Sequence, residues 1–472
     1  MYTDKLSLRS PLLAIPSTVS NNTKSTIQMT GKNFLLIIVA IQLIGCVSSR
    51  KINYELIQPR ETNLITAGKV DTLRKYITDI HPNIYLDIDT LIVDSLANKI
   101  VSDNEGKLLS HVDFTLEMRR LTDLFHYVDP HLIYYPSLQV DKGFKGKFKQ
   151  LKVLPFEIYN INDTLLIKKS YVEGLKKGDH LLSINGYEIG EFKKYIYPTW
   201  RSMKGYVMQL QSQLTYSEKY KIVVIRSGKV EELIVEGVSS NYATNERYCT
   251  GNLIDEFKTG YCKISSFTGN KFIYKELKNQ IEKTQAKGYT NFIIDLRGNT
   301  GGSGYKLDAM FSLMSDKDSL PYMKSQFIKV SSKTKGDYKF LKEYKKGDLV
   351  EFPNKLMVRN APLNKDLYQG KMNYYLMIDK STASVAASFA NIFQYNNLGT
   401  LVGESLDHNS LNFGDIISTW AYQNLIVSTV QYNENTKSSD GILVPDIEIP
   451  YVAKEYMAQE DPILNKLLNK LE

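Results

Sequence analysis

The sequence predicts a multi-domain α/β protein: a helical N-terminal cap, a small β domain, and a larger α/β unit. Three observations lead there. Apolar residues recur at helical spacing between Lys69 and Asp129. Short β-branched and aromatic runs follow between about 140 and 245. Beyond 255, apolar strands alternate with helices across short connections, as in a mostly parallel sheet. With 472 residues, one hydrophobic core is too few. A composition of 43% hydrophobic and 23% charged residues with only three Cys excludes collagen-like, disulfide-scaffold and wholly disordered classes. The formal charge of +8 is spread over interspersed signs. No RNP-like, zinc-finger or basic-helix motif accompanies it, so nucleic acid is not an expected partner.

In chain order, residues 1–45 read as an export signal. Phe34–Ile44 (FLLIIVAIQLI) is too short to span a bilayer, which takes about 20 apolar residues, but suits the h-region of a secretory signal flanked by Lys32. Leu43-Ile44-Gly45-Cys46 resembles the lipobox of bacterial lipoproteins, which implies lipidation at Cys46 and a membrane anchor of two or more acyl chains. Met29-Thr30-Gly31-Lys32 makes an ordinary n-region, so Met29 is the expected natural start. Residues 1–45 carry four basic residues (Lys5, Arg9, Lys24, Lys32) and one acidic residue (Asp4), so their removal takes the charge from +8 to +5. Export places Cys249 and Cys262 where a disulfide is permitted; two buried free thiols are the other reading. Neither belongs to a His/Cys spacing that suits zinc, so no metal is expected.

Residues 46–68 are polar and aperiodic, a tether. The helical unit, 69–139, places Val70, Leu73, Tyr76 and Ile77 on one face. It breaks at His81-Pro82-Asn83 and stops at Asp129-Pro130-His131, where proline disfavours helix before it. In the 140–245 unit, Gly174 to Gly186 holds a turn, a strand and an Asn-Gly turn, and resembles a segment of PDZ domains, which take an extended peptide as an added strand.

The 255–472 unit holds two turns with chemical potential, around a Lys-rich stretch at 320–370 read as an irregular surface excursion. In Asp295-Leu296-Arg297-Gly298-Asn299-Thr300-Gly301-Gly302-Ser303-Gly304 an apolar strand runs into four glycines and a helix. Free N–H groups in such a turn suit an anion. Neither Walker A nor GxGxxG spacing fits, which favours an oxyanion over a phosphate. In the second turn, Ser384 follows a buried strand and opens a helix among small residues, where the Val385 N–H is an orphan donor. A serine there also serves as an N-cap, and the residues alone leave both readings open.

The order Asp-Leu-Arg-x-Asn-x-Gly-Gly, then Thr382-Ala383-Ser384-Val385-Ala386, then Leu401-Val402-Gly403-Glu404, resembles the tail-specific (C-terminal-processing) peptidases, family S41. Gly441-Ile442 and Pro445-Asp446-Ile447 resemble the family's closing strand with one extra residue. His81-Pro82 and Asp129-Pro130-His131 resemble the N-terminal part of the subgroup related to tricorn core protease and retinoid-binding repeats. The resemblance implies a crotonase-like α/β catalytic domain, with Ser384 as nucleophile and Gly301 or Gly302 with Val385 as oxyanion-hole donors. The lysine base of the processing branch falls on Asn409, which cannot take a proton. The tricorn-like branch instead implies His131 as general base, with His408 as the alternative. Its orienting acid has no clean match; Asp440 is nearest and Glu434 second. Asp295, Arg297 and Glu404 read as structural, and Ala387 stands where many members have glutamate.

The expectation is therefore an exported, lipid-anchored serine endopeptidase acting on extended or C-terminal segments of peptides or proteins, with no cofactor. The lack of an acidic cluster after Cys46 favours an outer-membrane anchor facing the periplasm. A non-catalytic ligand- or peptide-binding protein on the same fold is the alternative, because fold does not fix function. The sequence leaves the oligomeric state open.

Overall fold

The computed structural model describes residues 63–86, 88–109, 111–125, 128–134, 152–161, 164–189, 218–239, 248–305, 307–352, 358–360, 372–406, 411–419, 425–438, 442–458 and 461–471. The signal, Cys46 and the tether up to 62 lie outside them.

Three helices open the described chain: α1 (Ala67–Ile80), α2 (Thr90–Asp103) and α3 (His111–Leu124). Thr66 caps α1 by accepting from Lys69 N–H, and Asp89 caps α2 by accepting from Leu91 N–H. Val70, Leu73, Ile77 and Ile80 of α1 meet Val93, Ala97 and Ile100 of α2 in one apolar core. The chain then enters a strand, β1 (Ile133–Tyr134).

A six-stranded sheet follows in the order β2 (Phe156–Ile161), β3 (Thr164–Ser170), β4 (His180–Ile184), β5 (Lys219–Arg226), β6 (Lys229–Glu236), with Tyr187–Glu188 paired to β4. Every pairing in it is antiparallel. The predicted Asn-Gly turn is present, with Asn185 at φ 52° and Gly186 at φ 82°. Buried Asp179 accepts from Lys176 N–H at 2.7 Å and pairs with Arg226 at 2.6 and 2.8 Å, tying the Gly174–Asp179 turn to β5.

A central sheet follows: β7 (Cys249–Ile254), β8 (Thr259–Ile264), β9 (Asn291–Asp295), β12 (Asn373–Ile378), β13 (Thr400–Gly403) and β16 (Ile447–Glu448), in that spatial order. β7 and β8 form a hairpin, and all later pairings are parallel. Parallel strands are covered on both faces. One cover is α4 (Asn270–Ala286), whose Ile273, Leu277 and Ile281 are fully buried at four-residue spacing. Another is α5 (Val385–Tyr395), apolar on most of its surface and buried accordingly.

The stretch 320–370 corrects the expectation of an irregular excursion. It contains β10 (Met323–Lys329) and β11 (Leu349–Glu351), which join β14 (Phe413–Thr419), β15 (Leu425–Glu434) and β1 in a five-stranded sheet. β1 pairs antiparallel with β15 through Ile133↔Ile426 and Tyr134↔Leu425. Leu425 and Val427 also complete the apolar core of the three helices. These helices are therefore wired to a strand far along the chain. A C-terminal helix, α6 (Pro462–Leu471), packs Ile463, Leu467 and Leu468 beside Ile293, Met377 and Val402 of the central strands. Among the described residues no helix is long and apolar enough to cross a membrane.

Candidate active site

In a parallel sheet, side chains that follow the carboxyl ends of the strands gather at one rim, the usual place for chemistry. Here the ends of β9, β12 and β13 deliver Asp295, Asp379 and Glu404, together with both glycine- and serine-bearing turns.

Ser384 sits between the end of β12 and the first turn of α5 with φ 53° and ψ −128°. A non-glycine residue in that region stores about 1–3 kcal/mol of strain, held only where the surroundings over-determine it. They do so here. Ala383 N–H donates to Asn299 O at 3.1 Å, Thr382 Oγ1 to Leu296 O at 3.2 Å, and Ser388 N–H to Ser384 O at 2.9 Å. The Ser384 side chain makes no capping bond, so the N-cap reading fails, and the hydroxyl stands uncommitted among the described residues on a strained bend.

The glycine-rich turn lies against that bend. A Cβ on Gly301, at φ 102°, would come within 2.8 Å of Ser384 Cβ and 3.0 Å of Val385 N; on Gly302, at φ 141°, it would come within 2.7 Å of the Phe267 carbonyl carbon. Only glycine permits both the dihedral and the approach. The Gly301 N–H is spent on Asn299 Oδ1 at 2.9 Å. Of the two glycines expected to donate to an oxyanion, Gly302 is therefore the one left, beside Val385; neither N–H donates to another described group. Asn299 is itself anchored by donating Nδ2–H to Ile264 O at 3.0 Å.

Asp379, which sequence reading passed over, ties the two turns together. Its Oδ1 accepts from Gly298 N–H at 3.0 Å, Ser381 N–H at 3.0 Å and Thr382 Oγ1 at 3.3 Å, while Tyr451 OH donates to Oδ2 at 3.2 Å. Burial pushes its carboxyl above the ordinary value. Glu404 is raised too, first by burial and then by the Asp379 charge. Asp295 goes the other way: burial would raise it, but the Arg297 guanidinium, bonded at 2.7 and 2.9 Å, holds it well below the carboxylate range. Arg297 also bonds Asp461 at 2.6 and 2.8 Å, which supports its structural reading.

The histidine side is built by a different carboxylate. Asp129 accepts the backbone N–H of His131 at 2.9 Å and its ring Nδ1–H at 3.1 Å through Oδ1; through Oδ2 it accepts Nε2–H of His81 at 3.2 Å. The His81 tautomer follows from Asn83 N–H, which donates to its Nδ1 at 3.2 Å. Asp129 and His81 are fully buried, and His131 is 15% exposed. Burial would raise the Asp129 carboxyl, yet the two histidines bring it far below the ordinary value. His131 Nε2 is then the nitrogen that carries the free lone pair.

Ser384, Gly301, Gly302 and Val385 thus come together. His131 and Ser384 are not joined by a hydrogen bond among the described residues. Glu434, the second candidate for orienting acid, accepts instead from Ser388 Oγ at 2.6 Å and Asn391 Nδ2 at 2.9 Å on the flank of α5. The acid that touches His131 is Asp129, quoted in the sequence only as part of Asp-Pro-His. His408, Asn409, Asp440 and Cys46 lie outside the described residues.

Residues 258–448 match the family model for peptidase family S41. No curated protein matches the chain. Among solved structures, the crystal structure of a CPAF mutant aligns with TM-score 0.58 at 11% identity, covering 85% of this chain and 97% of that one. Mature CPAF complexed with lactacystin aligns with TM-score 0.57 at 13% identity, covering 86% and 98%. The photosystem II D1 C-terminal processing protease gives TM-score 0.44 at 11% identity over 82% and 94%. At such identity the likeness to CPAF shows a shared fold of mixed α/β type. With the match running from β8 to β16 and over both turns, residues 258–448 are assigned to peptidase family S41, a family of serine-type peptidases.

Proposed function

We propose that the chain is an exported, membrane-anchored serine endopeptidase that cleaves extended or C-terminal segments of peptides and proteins through an acyl-enzyme on Ser384. The observation that carries this reading is the uncapped Ser384 hydroxyl at φ 53°, with Gly301 pressed against its Cβ. In the proposed reaction His131 Nε2 takes the Ser384 proton as Oγ attacks the scissile carbonyl, and returns it to the leaving amine. Asp129, on Nδ1, fixes the tautomer and stabilises the imidazolium. The N–H groups of Gly302 and Val385 receive the oxyanion, each such donor contributing about 3–4 kcal/mol to the transition state. Water then releases the acyl group by the same path in reverse. His131 must close to about 3 Å from Ser384 Oγ, a distance that catalytic hydrogen bonds commonly reach only in the substrate complex. The PDZ-like sheet is assigned to holding the extended segment, Cys46 to a lipid anchor, and the envelope, facing the periplasm from the outer membrane, to the site of action.

A second reading, a ligand- or peptide-binding protein without turnover, is favoured by the missing bond between His131 and Ser384. One experiment separates the two. Wild type and Ser384→Ala are incubated with an unstructured polypeptide, as free acid and as C-terminal amide, and products are read by mass spectrometry. Cleavage by wild type alone, faster on the free acid, is expected. Binding by both proteins with cleavage by neither contradicts the peptidase proposal.

A further inference from the structure

The β7–β8 hairpin carries two sulfur atoms that the proposed chemistry does not use. Cys249 and Cys262 sit diagonally on neighbouring strands, since Cys249 pairs with Ile264 and Gly251 with Cys262. Both side chains face α4, as does Gly251, where a Cβ would meet Gln280 Cγ at 2.3 Å. Cys262 is fully buried and Cys249 is 9% exposed. Their Sγ atoms are 2.7 Å apart. A covalent bond needs about 2.05 Å, so only a small side-chain adjustment separates the thiols from it.

The hairpin end that holds them is also where the glycine-rich turn is fastened. Ile264, the backbone partner of Cys249, accepts the Asn299 carboxamide at 3.0 Å, and Asn299 in turn accepts Gly301 N–H at 2.9 Å. Just beyond, Ser265 N–H donates to Tyr248 O at 3.0 Å and Phe267 N–H to Gly301 O at 2.9 Å, while Ser303 N–H returns to Phe267 O at 3.2 Å. A link between the two strands at this level restrains the segment against which Gly301 and Gly302 are placed.

We propose that Cys249 and Cys262 form a disulfide that clamps the end of this hairpin and thereby steadies the glycine-rich turn beside Ser384. In the reaction two S–H bonds break and one S–S bond forms. The two protons and two electrons pass to a disulfide oxidant such as oxidised glutathione, which leaves as two thiols. The bond belongs to the folding chain, because donation of its S–H to Cys249, and then burial, hold the Cys262 thiol protonated and slow to exchange once folded. It depends on no peptidase activity; only its effect on the turn rests on the functional reading above.

Trypsin cleaves after Arg247, Lys258 and Lys263, so the two cysteines fall on different peptides, Tyr248–Lys258 and Thr259–Lys263. The full chain is refolded in oxidised glutathione, its free thiols are alkylated under denaturing conditions, and the digest is read without reductant. The expected product is the linked peptide pair, lost on treatment with dithiothreitol. Recovery of both peptides alkylated overturns the proposal. The oxidised chain is also expected to melt roughly 5 °C above the reduced chain, and its Ser384 to react faster with a fluorophosphonate. Neither difference is expected in Cys249→Ala/Cys262→Ala. A linked chain whose melting and labelling are indifferent to redox state overturns the clamp. If Ser384 never labels in any form, the peptidase reading fails, while the digest and melting still decide this one.

Discussion

The two halves of the proposed site are held by different physics. The serine half is a lattice of backbone bonds inside one sheet-and-helix unit: Asn299, Asp379 and Thr382 knit two turns so tightly that a positive-φ serine persists. The histidine half hangs on a buried carboxylate shared by His81 and His131, and its links to the rest of the protein include the short β1–β15 pairing, the apolar core of the three helices and the His81 ring against Phe413 of β14, 4.6 Å between centroids. The serine half is pre-organised before substrate arrives. In our reading the histidine half is pre-oriented but brought to bonding distance by substrate. The comparison teaches that orientation and approach are separate tasks here, and substitutions can tell them apart.

The largest expected effect is at the shared carboxylate. Asp129→Asn leaves the shape intact but cannot stabilise the imidazolium, so kcat falls roughly 10³–10⁴-fold while Ser384 keeps its place. The linkage has a definite sign. The Asp129 carboxyl is depressed in the folded state, so its stabilisation is complete above the ordinary carboxylate value and is lost as pH falls toward the folded one. Thermal melting at a series of acidic pH values is expected to drop more steeply for wild type than for Asp129→Asn. Equal slopes would contradict the shared-carboxylate account.

Next comes the serine half. Gly301→Ala places a methyl 2.8 Å from Ser384 Cβ at φ 102°, and is expected to lower kcat roughly 10²–10³-fold, as loss of one oxyanion donor does. A wild-type rate would show that the turn has slack. Asp379 sharpens the point through two variants. Asp379→Ala strands Gly298 and Ser381 N–H groups, a loss of about 2–4 kcal/mol in stability by denaturant titration. Asp379→Asn keeps the Oδ1 acceptor and is expected to be at least as stable as wild type near neutral pH. The raised Asp379 carboxyl favours folding below its ordinary value, and that benefit fades as pH rises through the folded one, so the asparagine variant should lose this slope. The smallest effect is expected for Glu434→Gln at the flank of α5: its amide oxygen still accepts from Asn391, and its NH2 donates to a turned Ser388 hydroxyl, so peptide hydrolysis should change less than about threefold.

Much of the serine half was legible because its signals are local: an apolar strand, a turn of small residues, a helix. Ser384, Val385 and the Gly301-Gly302 pair each announce themselves within ten residues. Choosing between the glycines was not possible in advance, since the competing Asn299 carboxamide bond is a detail of rotamer and turn. Asp129 stood two residues before His131 in plain sight, but a side-chain bond across a proline has no periodic signature. His81 was marked as a helix break and as part of the His-Pro resemblance but not as a partner of Asp129, and its bond to Asp129 spans 48 positions. Asp379 looks like any first polar residue after a strand. The five-stranded sheet was missed for the same reason: nothing in Ile133–Tyr134 names Leu425–Ile426 as its partner.

The central claim is that His131 activates Ser384. The most direct measurement is the rate at which a fluorophosphonate labels Ser384 in wild type, Ser384→Ala, His131→Ala and His408→Ala. The account predicts labelling in wild type, none in Ser384→Ala, a rate lowered by roughly 10³-fold or more in His131→Ala, and a near wild-type rate in His408→Ala. Labelling that survives in His131→Ala but disappears in His408→Ala would contradict it.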